Sequence, residues 1–328
     1  MSEGGGARDL PRHKVLVTRR WPSEVEAELA RAYDTTFNPD DRPMSAEALH
    51  AALQSYDAVL PTVTDRMDAS VLSAAKKTRI LANYGVGFNH IDVEAAKAAG
   101  LVVTNTPDVL TDATADLAMT LLLITARRAG EGERELRAGK WSGWRPTHML
   151  GTQVTGATLG IIGMGRIGRA VASRCHNGFG MKVVFFDMFP AKNLEVPAGQ
   201  LATVEDVLAA ADFISLHCPG GGENFHLINA ERLKRMKPTA FLINTARGDI
   251  VDEGALVDAL KAGRIAGAGL DVYEAEPKVH PELVKMENVT LLPHLGSATK
   301  SARVAMGMRV VENLAAFFAG RKPADRVA

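Results

Sequence analysis

Short apolar runs and stretches with helical periodicity alternate along the whole chain. In the first third, four apolar runs predict strands at Lys14–Thr18, Asp57–Pro61, Arg79–Asn83 and Leu101–Thr104. Helical patterns occur between and around them, at Ser23–Ala32, Ser45–Gln54, Ala69–Ala75 and Val93–Ala99. Strands that alternate with helices in this way predict a parallel sheet with helices on both faces.

A second series of the same kind begins at Thr158. Its predicted strands are Thr158–Ile162, Lys182–Phe186, Phe213–His217, Phe241–Asn244, Gly267–Asp271 and Val289–Leu292. Helical patterns follow several of these strands, at Val204–Ala211, Ala230–Met236 and Glu253–Ala262. The pattern predicts a second doubly wound parallel sheet.

Two longer helical patterns flank this second series. Asp112–Ala138 predicts one long helix before it, and Lys300–Gly320 predicts a final amphipathic helix after it. The apolar face of the final helix is predicted at Val304, Met308, Val311, Leu314 and Phe318. Since no strand follows this helix, the simplest topology returns it to the first sheet. We therefore predict two α/β domains, with residues 106–296 inserted into a discontinuous domain of residues 1–105 and 297–328.

Three glycines follow the first strand of the second series. Gly163, Gly165 and Gly168 have the spacing G-x-G-x-x-G, which permits a tight turn, a close approach of backbone to a pyrophosphate and close helix–strand packing. The helix that follows directs free N–H groups towards phosphate, and Arg166 adds a positive charge. A glycine-rich turn without a ligand is the alternative, but the strand, helix and strand in register favour a Rossmann dinucleotide-binding domain.

An acidic residue ends the second strand of this motif. Asp187 lies 19 positions after Gly168 (187 minus 168), close to the spacing expected for a carboxylate that binds the adenosine ribose. Such a carboxylate accepts hydrogen bonds from both ribose hydroxyls and repels a 2′-phosphate. NAD(H) is therefore favoured, and NADP(H) remains the alternative.

The composition is that of an ordinary globular protein. Hydrophobic residues make up 46% of the chain and the formal net charge is zero, which argues against a nucleic-acid partner. Two cysteines, Cys175 and Cys218, suit a reducing compartment. No apolar run reaches the ~18 residues of a membrane helix. The N-terminus lacks the apolar core of a secretory signal, and its glycines predict a frayed tail. We expect a cytoplasmic protein, and no metal site is predicted.

Polar groups at three strand ends of the second series are candidates for chemistry. Arg247 follows a strand in the turn Thr-Ala-Arg-Gly, where a guanidinium can bind a carboxylate through two bonds. A surface arginine paired with Asp249 or Asp252 is the alternative. Glu276 and His294 follow the next two strands, and a carboxylate beside an imidazole favours its protonated form. A protonated histidine is the acid that ketone reduction requires.

The first series carries a glycine turn in the segment NYGVGFNHID. Glycines at 85 and 87 follow a predicted strand and leave the backbone N–H groups of Val86 and Gly87 available for an oxygen of a substrate carboxylate. An ordinary turn is the alternative.

These segments together resemble the D-2-hydroxyacid dehydrogenase family from about Lys14 to the C-terminus. The segments NYGVGFNHID, NTPDVLTDATADLA, GIIGMGRIG, LINTARGDIVDE, AGAGLDVYEAEP and LLPHLGSAT occur in family order. The resemblance implies a flavodoxin-like substrate domain, a homodimer, and a catalytic trio in which Arg247 orients the 2-oxo acid, His294 is the general acid/base and Glu276 holds His294. Val86 and Gly87 would bind the substrate carboxylate. The implied cofactor contacts are Thr114, Gly163, Gly165, Arg166, Ile167, Gly168, Asp187, Cys218, Thr245, Asp271 and Gly296.

Within the family, the chain looks most like the glyoxylate and hydroxypyruvate reductases. The segment GKWSGWRP resembles their arm at the subunit interface, where Trp144 either reaches the partner's active site or packs in the interface. One departure is HCPGGGENFHLI, with three glycines where many relatives have a threonine–proline segment. The expected reaction is reduction of a small 2-oxo acid, glyoxylate or hydroxypyruvate, to the D-2-hydroxy acid. Other D-2-hydroxyacid, phosphite or formate dehydrogenases and a non-catalytic NADH-sensing corepressor share this fold and are the alternatives.

Overall fold

The computed structural model describes residues 12–328, so the predicted frayed tail lies outside the described residues. The chain separates into two compact units. One contains the residues up to Leu110 together with Thr299–Ala328, and the other is Thr111–Ala298. From the sequence, these divisions are predicted between 105 and 106 and between 296 and 297.

The first unit contains a five-stranded parallel sheet. In chain order its elements are β1 (Lys14–Val17), α1 (Ser23–Ala32), β2 (Asp34–Phe37), α2 (Ala46–Ser55), β3 (Ala58–Leu60), α3 (Ala69–Leu72), β4 (Ile80–Ala82), α4 (Val93–Ala98) and β5 (Val102–Thr104). The strand order is β2-β1-β3-β4-β5, which is the flavodoxin-like order. Apart from the exposed Lys14 at the start of β1, the residues of the three central strands are apolar and buried because helices cover both faces.

The second unit contains a seven-stranded parallel sheet. Its elements are α5 (Thr111–Ala126), α6 (Ala129–Arg137), β6 (Thr158–Ile162), α7 (Arg166–Phe179), β7 (Lys182–Phe186), β8 (Ala198–Gln200), α8 (Val204–Ala210), β9 (Phe213–Leu216), α9 (Ala230–Leu233), β10 (Phe241–Asn244), α10 (Glu253–Lys261), β11 (Gly267–Leu270) and β12 (Val289–Leu291). The order β12-β11-β10-β9-β6-β7-β8 is that of a Rossmann sheet with one further strand. The predicted α/β class with two parallel sheets is confirmed.

The last helix, α11 (Lys300–Phe318), belongs to the first unit. Gly307 on α11 lies against Val25 of α1, where a Cβ would overlap the valine side chain. This close approach turns Met306 and Val310 inwards, whereas Met308 is 36% exposed. The predicted apolar face of this helix is therefore partly wrong, because helix packing at a glycine selected a neighbouring face.

One other local prediction is wrong, and two strands were not predicted. Asp112–Ala138 is two helices, since Arg128 has a left-handed backbone with φ 52° between the largely buried α5 and the solvent-exposed α6. The edge strands β2 and β8 were missed, because their sequences are polar or glycine-containing and only one neighbouring strand pairs with each.

Within residues 12–328, no helix has both the length and the apolar character that a membrane crossing needs.

Candidate active site

The three glycines after β6 form a cradle that side chains would fill. Gly163 has φ 95°, and a Cβ there would lie 2.7 Å from the Cys218 amide nitrogen. A Cβ on Gly168 would overlap the Gly163 carbonyl oxygen. Gly165 caps α7, so the first N–H groups of this helix, at Arg166 and Ile167, lie at the open end of the cradle. This geometry fits a pyrophosphate at a helix N-terminus.

Asp187 follows β7 directly, beside the glycine cradle. Its Oδ2 accepts a hydrogen bond from the Met164 amide at 2.8 Å, and its Oδ1 accepts one from the Phe189 amide at 3.0 Å. Each carboxylate oxygen keeps a further lone pair for a ligand. The carboxylate is thereby held in one orientation next to the turn that would carry the phosphates.

The other predicted cofactor residues lie at the carboxyl ends of the central strands or next to them. Cys218 follows β9 and Thr245 follows β10, and the Thr245 hydroxyl is buried with no hydrogen-bond partner among the described residues. On α5, Thr114 lies beside Gly296, where its side chain would be in van der Waals contact with a Cβ. Because this is the sheet edge at which open α/β folds bind ligands, the residues fit a dinucleotide.

Asp271 is a fully buried carboxylate after β11. Its two oxygens accept hydrogen bonds from the Leu295 and Gly296 amides at 2.6 and 2.8 Å, and its carbonyl accepts one from the His294 amide at 2.8 Å. Burial raises the pKa of the Asp271 carboxyl, although these amides and His294 oppose the shift. Asp271 therefore fixes the chain immediately around His294.

The side chains of His294 and Glu276 are joined by a hydrogen bond. His294 Nδ1 and Glu276 Oε2 are 2.9 Å apart, and Glu276 Oε1 accepts a hydrogen bond from the Tyr273 amide at 3.1 Å. Burial acts to raise the pKa of Glu276, but His294 and the Tyr273 amide outweigh it, so the pKa is lowered. Since Glu276 is then ionised, His294 donates from Nδ1 and its Nε2 is directed away from the pair. The His294 backbone has φ 55°, in the left-handed region that only a small minority of non-glycine residues adopt.

Arg247 lies on the same sheet edge, in the turn after β10. The buried Asn244 shapes this turn: its Nδ2 donates to the Arg247 carbonyl at 2.8 Å and its Oδ1 accepts from the Ala246 amide at 3.0 Å. Burial lowers the pKa of the Arg247 guanidinium, although the carboxylates of Glu276 and Asp249 oppose the shift. An arginine stays charged in proteins, so Arg247 presents a partly desolvated cation close to Glu276.

In the first unit, Val86 and Gly87 lie in a loop whose carbonyl groups are turned inwards. Asn83 Nδ2 donates to the carbonyls of Gly85 and Gly87 at 3.0 Å each, and Asn105 Nδ2 donates to the Val86 carbonyl at 2.9 Å. Within the described chain, no hydrogen bond is recorded for the amides of Val86 and Gly87. These two N–H groups are thus available to an anion.

Several residues of the site were missed by sequence reasoning. His217 directly follows β9, where its Nε2 lies 2.8 Å from Ser215 Oγ. Burial lowers the pKa of His217 to about 4. Asn244, Asn83 and Gln200 orient loops through side-chain bonds to backbone. Their signal in the sequence is weak, since an asparagine after a strand is common in turns.

Comparisons with known proteins agree with this geometry. The model of the NAD-binding domain of the D-isomer specific 2-hydroxyacid dehydrogenase family matches residues 119–296. Glyoxylate reductase from Thermococcus kodakarensis is 46% identical over 317 residues, covering 95% of both chains. Glyoxylate reductase from Pyrococcus horikoshii is 46% identical over 315 residues, covering 94% of both.

Solved structures agree as well. An NADPH-dependent glyoxylate/hydroxypyruvate reductase from Sinorhizobium meliloti, solved with NADP and malonate, superposes with a TM-score of 0.87 at 36% identity. The match covers 97% of both chains. The resemblance drawn from the sequence is confirmed: this chain belongs to the D-isomer specific 2-hydroxyacid dehydrogenase family and is an NAD(P)-dependent oxidoreductase.

Proposed function

We propose that this protein reduces a small 2-oxo acid, glyoxylate or hydroxypyruvate, to the D-2-hydroxy acid with NADH as the reductant. The observation that carries the proposal is the 2.9 Å bond between His294 and Glu276, on the same sheet edge as Arg247. A cation, a proton donor and a carboxylate that holds the donor are the groups that reduction of a 2-oxo acid requires.

Each group has a proposed role that follows from its contacts. His294 delivers a proton from Nε2 to the substrate oxygen, because Nδ1 is bound to Glu276. Glu276 fixes the imidazole orientation and stabilises its charged form. Arg247 binds the substrate carboxylate through two N–H groups. The substrate contacts of Val86 and Gly87, which lie in the other unit, stay a prediction from the family resemblance. The nicotinamide, when bound, supplies the hydride.

NAD(H) is the proposed cofactor because of Asp187. A carboxylate held by the Met164 and Phe189 amides is suited to accept from ribose hydroxyls and repels the charge of a 2′-phosphate. Asp187→Ala tests this cofactor preference directly. We expect this variant to lose NADH affinity and to gain affinity for NADPH.

A homodimer is the proposed assembly. Four large apolar side chains on or after α6 are exposed, with Leu136 at 61%, Trp141 at 53%, Trp144 at 82% and Leu150 at 67%. Such a concentration of apolar surface is typical of an interface. Leu150 and Val284 also line a groove of about 960 Å³ beside α6, and a second copy of this segment is the proposed occupant.

The two free cysteines support a cytoplasmic location.

Initial rates with glyoxylate, hydroxypyruvate, pyruvate and phenylpyruvate, each with NADH and with NADPH at neutral pH, test the reaction. Turnover of glyoxylate or hydroxypyruvate supports the proposal. Absence of turnover with every 2-oxo acid would contradict it and redirect the assay to formate and phosphite. NADH-dependent capture of a protein partner without any turnover would favour the sensor.

The proton donor is tested by His294→Ala. General-acid catalysis contributes ~10²-fold or more, and we expect a loss of that size in kcat. His50→Ala, at an exposed histidine on α2, is the matched control. A His294→Ala enzyme within a few-fold of the wild type would remove His294 from this role.

A further inference from the structure

One glutamine side chain makes three hydrogen bonds to the loop that follows Asp187. Gln200, the last residue of β8, donates from Nε2 to the carbonyls of Asp187 and Phe189 at 3.2 and 3.1 Å. Its Oε1 accepts from the Ala191 amide at 3.2 Å. Both N–H donors of the side chain are used, and the three partners are alternate residues of one short segment, 187–191.

The same loop fixes the Asp187 carboxylate. Phe189 is bonded at both ends of its backbone: its amide donates to Asp187 Oδ1, and its carbonyl accepts from Gln200. Any movement of Phe189 therefore moves one of the two anchors of the carboxylate. The second anchor is the Met164 amide of the glycine turn, on the far side of Asp187.

Apolar packing is slight in the middle of this loop. The side chains of Met188 and Phe189 are 68% and 74% exposed. Arg169 holds the chain further on, through the carbonyls of Lys192 and Asn193. Over residues 187–191, the three bonds from Gln200 are thus the main restraint supplied by a side chain from outside the loop.

We propose that Gln200 is a positioning residue that sets the preference for NAD(H) over NADP(H) by fixing the loop of residues 187–191. The inference rests on the proposed role of Asp187. A carboxylate discriminates against a 2′-phosphate only while it is held where the ribose hydroxyls bind. When the loop relaxes, hydrogen bonds to the ribose weaken and the repelling charge moves away, so NADH loses affinity and NADPH gains some.

The effect is confined to cofactor selection because Gln200 is remote from the proton donor. β8 lies at one edge of the seven-stranded sheet and β12, which precedes His294, lies at the other. Six strand spacings separate them, roughly 29 Å at ~4.8 Å each. Substitution of Gln200 is therefore expected to change cofactor dissociation constants and leave the chemical step unaltered.

The test measures dissociation constants of NADH and NADPH by nucleotide fluorescence, which needs no substrate turnover. We expect Gln200→Leu to lower the NADH-to-NADPH affinity ratio by about threefold to tenfold, the worth of one or two modest hydrogen bonds. Gln153→Leu is the matched control, since Gln153 is an exposed glutamine of the same unit whose side chain, within residues 12–328, bonds only to the Thr155 carbonyl. Its ratio should equal that of the wild type.

A double-mutant cycle with Asp187→Ala separates positioning from general support of the sheet edge. If Gln200 acts through Asp187, Gln200→Leu changes the ratio by less than twofold in the Asp187→Ala background. An equal drop in that background, or an unchanged ratio in Gln200→Leu alone, would overturn the inference. Wild-type preference for NADPH would refute the proposed cofactor, whereas the cycle would still decide whether Gln200 acts through Asp187.

Discussion

We predict that a side chain added at Gly220, in the loop of three glycines after Pro219, displaces the side chain of Arg247. A Cβ at position 220 would lie 2.8 and 2.9 Å from Cβ and Cγ of Arg247, and it would overlap Asp249 Oδ1. The Asp249 carboxylate is held by its other oxygen, which accepts a hydrogen bond from the Gly221 amide at 2.8 Å. Gly220→Ala must displace the aliphatic stem of Arg247 in addition to straining this carboxylate.

The size of the displacement follows from these contacts. Ordinary van der Waals contact for a Cβ begins at 3.4 Å, so the Arg247 stem has to move by about 0.6 Å (3.4 minus 2.8). A misplacement of ~1 Å in a catalytic arrangement costs ~10²-fold, so about tenfold in kcat/KM is expected here. The loss should appear mainly as a higher KM for glyoxylate, since Arg247 is proposed to bind the carboxylate.

Initial rates with glyoxylate at saturating NADH measure this effect. Gly178→Ala is the matched control, because a Cβ on this exposed glycine of α7 meets no atom within 4 Å. The NADH dissociation constant should be unchanged in both variants. A Gly220→Ala enzyme with the wild-type KM, or with a loss shared equally by Gly178→Ala, would refute the reasoning.

Three further predictions concern titration and reactivity. The pKa of Glu276 is lowered from its usual value of 4.5, so its pairing with His294 stabilises the folded protein at pH values above 4.5. This stabilisation is lost as the pH falls below 4.5 and through the lowered pKa. In urea unfolding, the stability difference between the wild type and Glu276→Gln should shrink below that pH; a constant difference would contradict the pairing. Burial lowers the pKa of His217 from 6.5 to about 4, so the unfolded chain takes up a proton in this range that the folded chain does not. The free energy of unfolding should therefore decrease as the pH falls from 6.5 towards 4, and His217→Gln should remove this decrease. The same pH dependence in both proteins would be evidence against burial of His217. Burial raises the pKa of the Cys218 thiol to about 11, so iodoacetamide should alkylate it roughly 10²-fold more slowly than a solvent-exposed cysteine at pH 8. Mass spectrometry of the native and the unfolded protein measures the two rates. Equal rates would disprove the prediction.

Parts of this protein whose partners lie close together in the chain were accessible from the sequence. The glycine cradle and Asp187 belong to one continuous strand–helix–strand unit, so the spacing of their residues already determines their geometry. Apolar runs likewise predicted the central strands, because a strand covered by helices on both faces is apolar over most of its length. The family resemblance then supplied roles for Arg247, Glu276 and His294.

Features created by contacts between distant residues were decided only by the tertiary structure. The polar edge strands β2 and β8 exist because a neighbouring strand pairs with them, and neither has an apolar pattern of its own. The role of Gln200 also depends on tertiary structure, because its side chain on β8 bonds to the loop that follows β7. Gly220 is a further case, because its lack of a side chain matters only where Arg247 lies against it. The type of a residue limits the hydrogen bonds and contacts that it can form. Which atoms lie close enough to form them is decided by the fold, and the local sequence does not determine those distances.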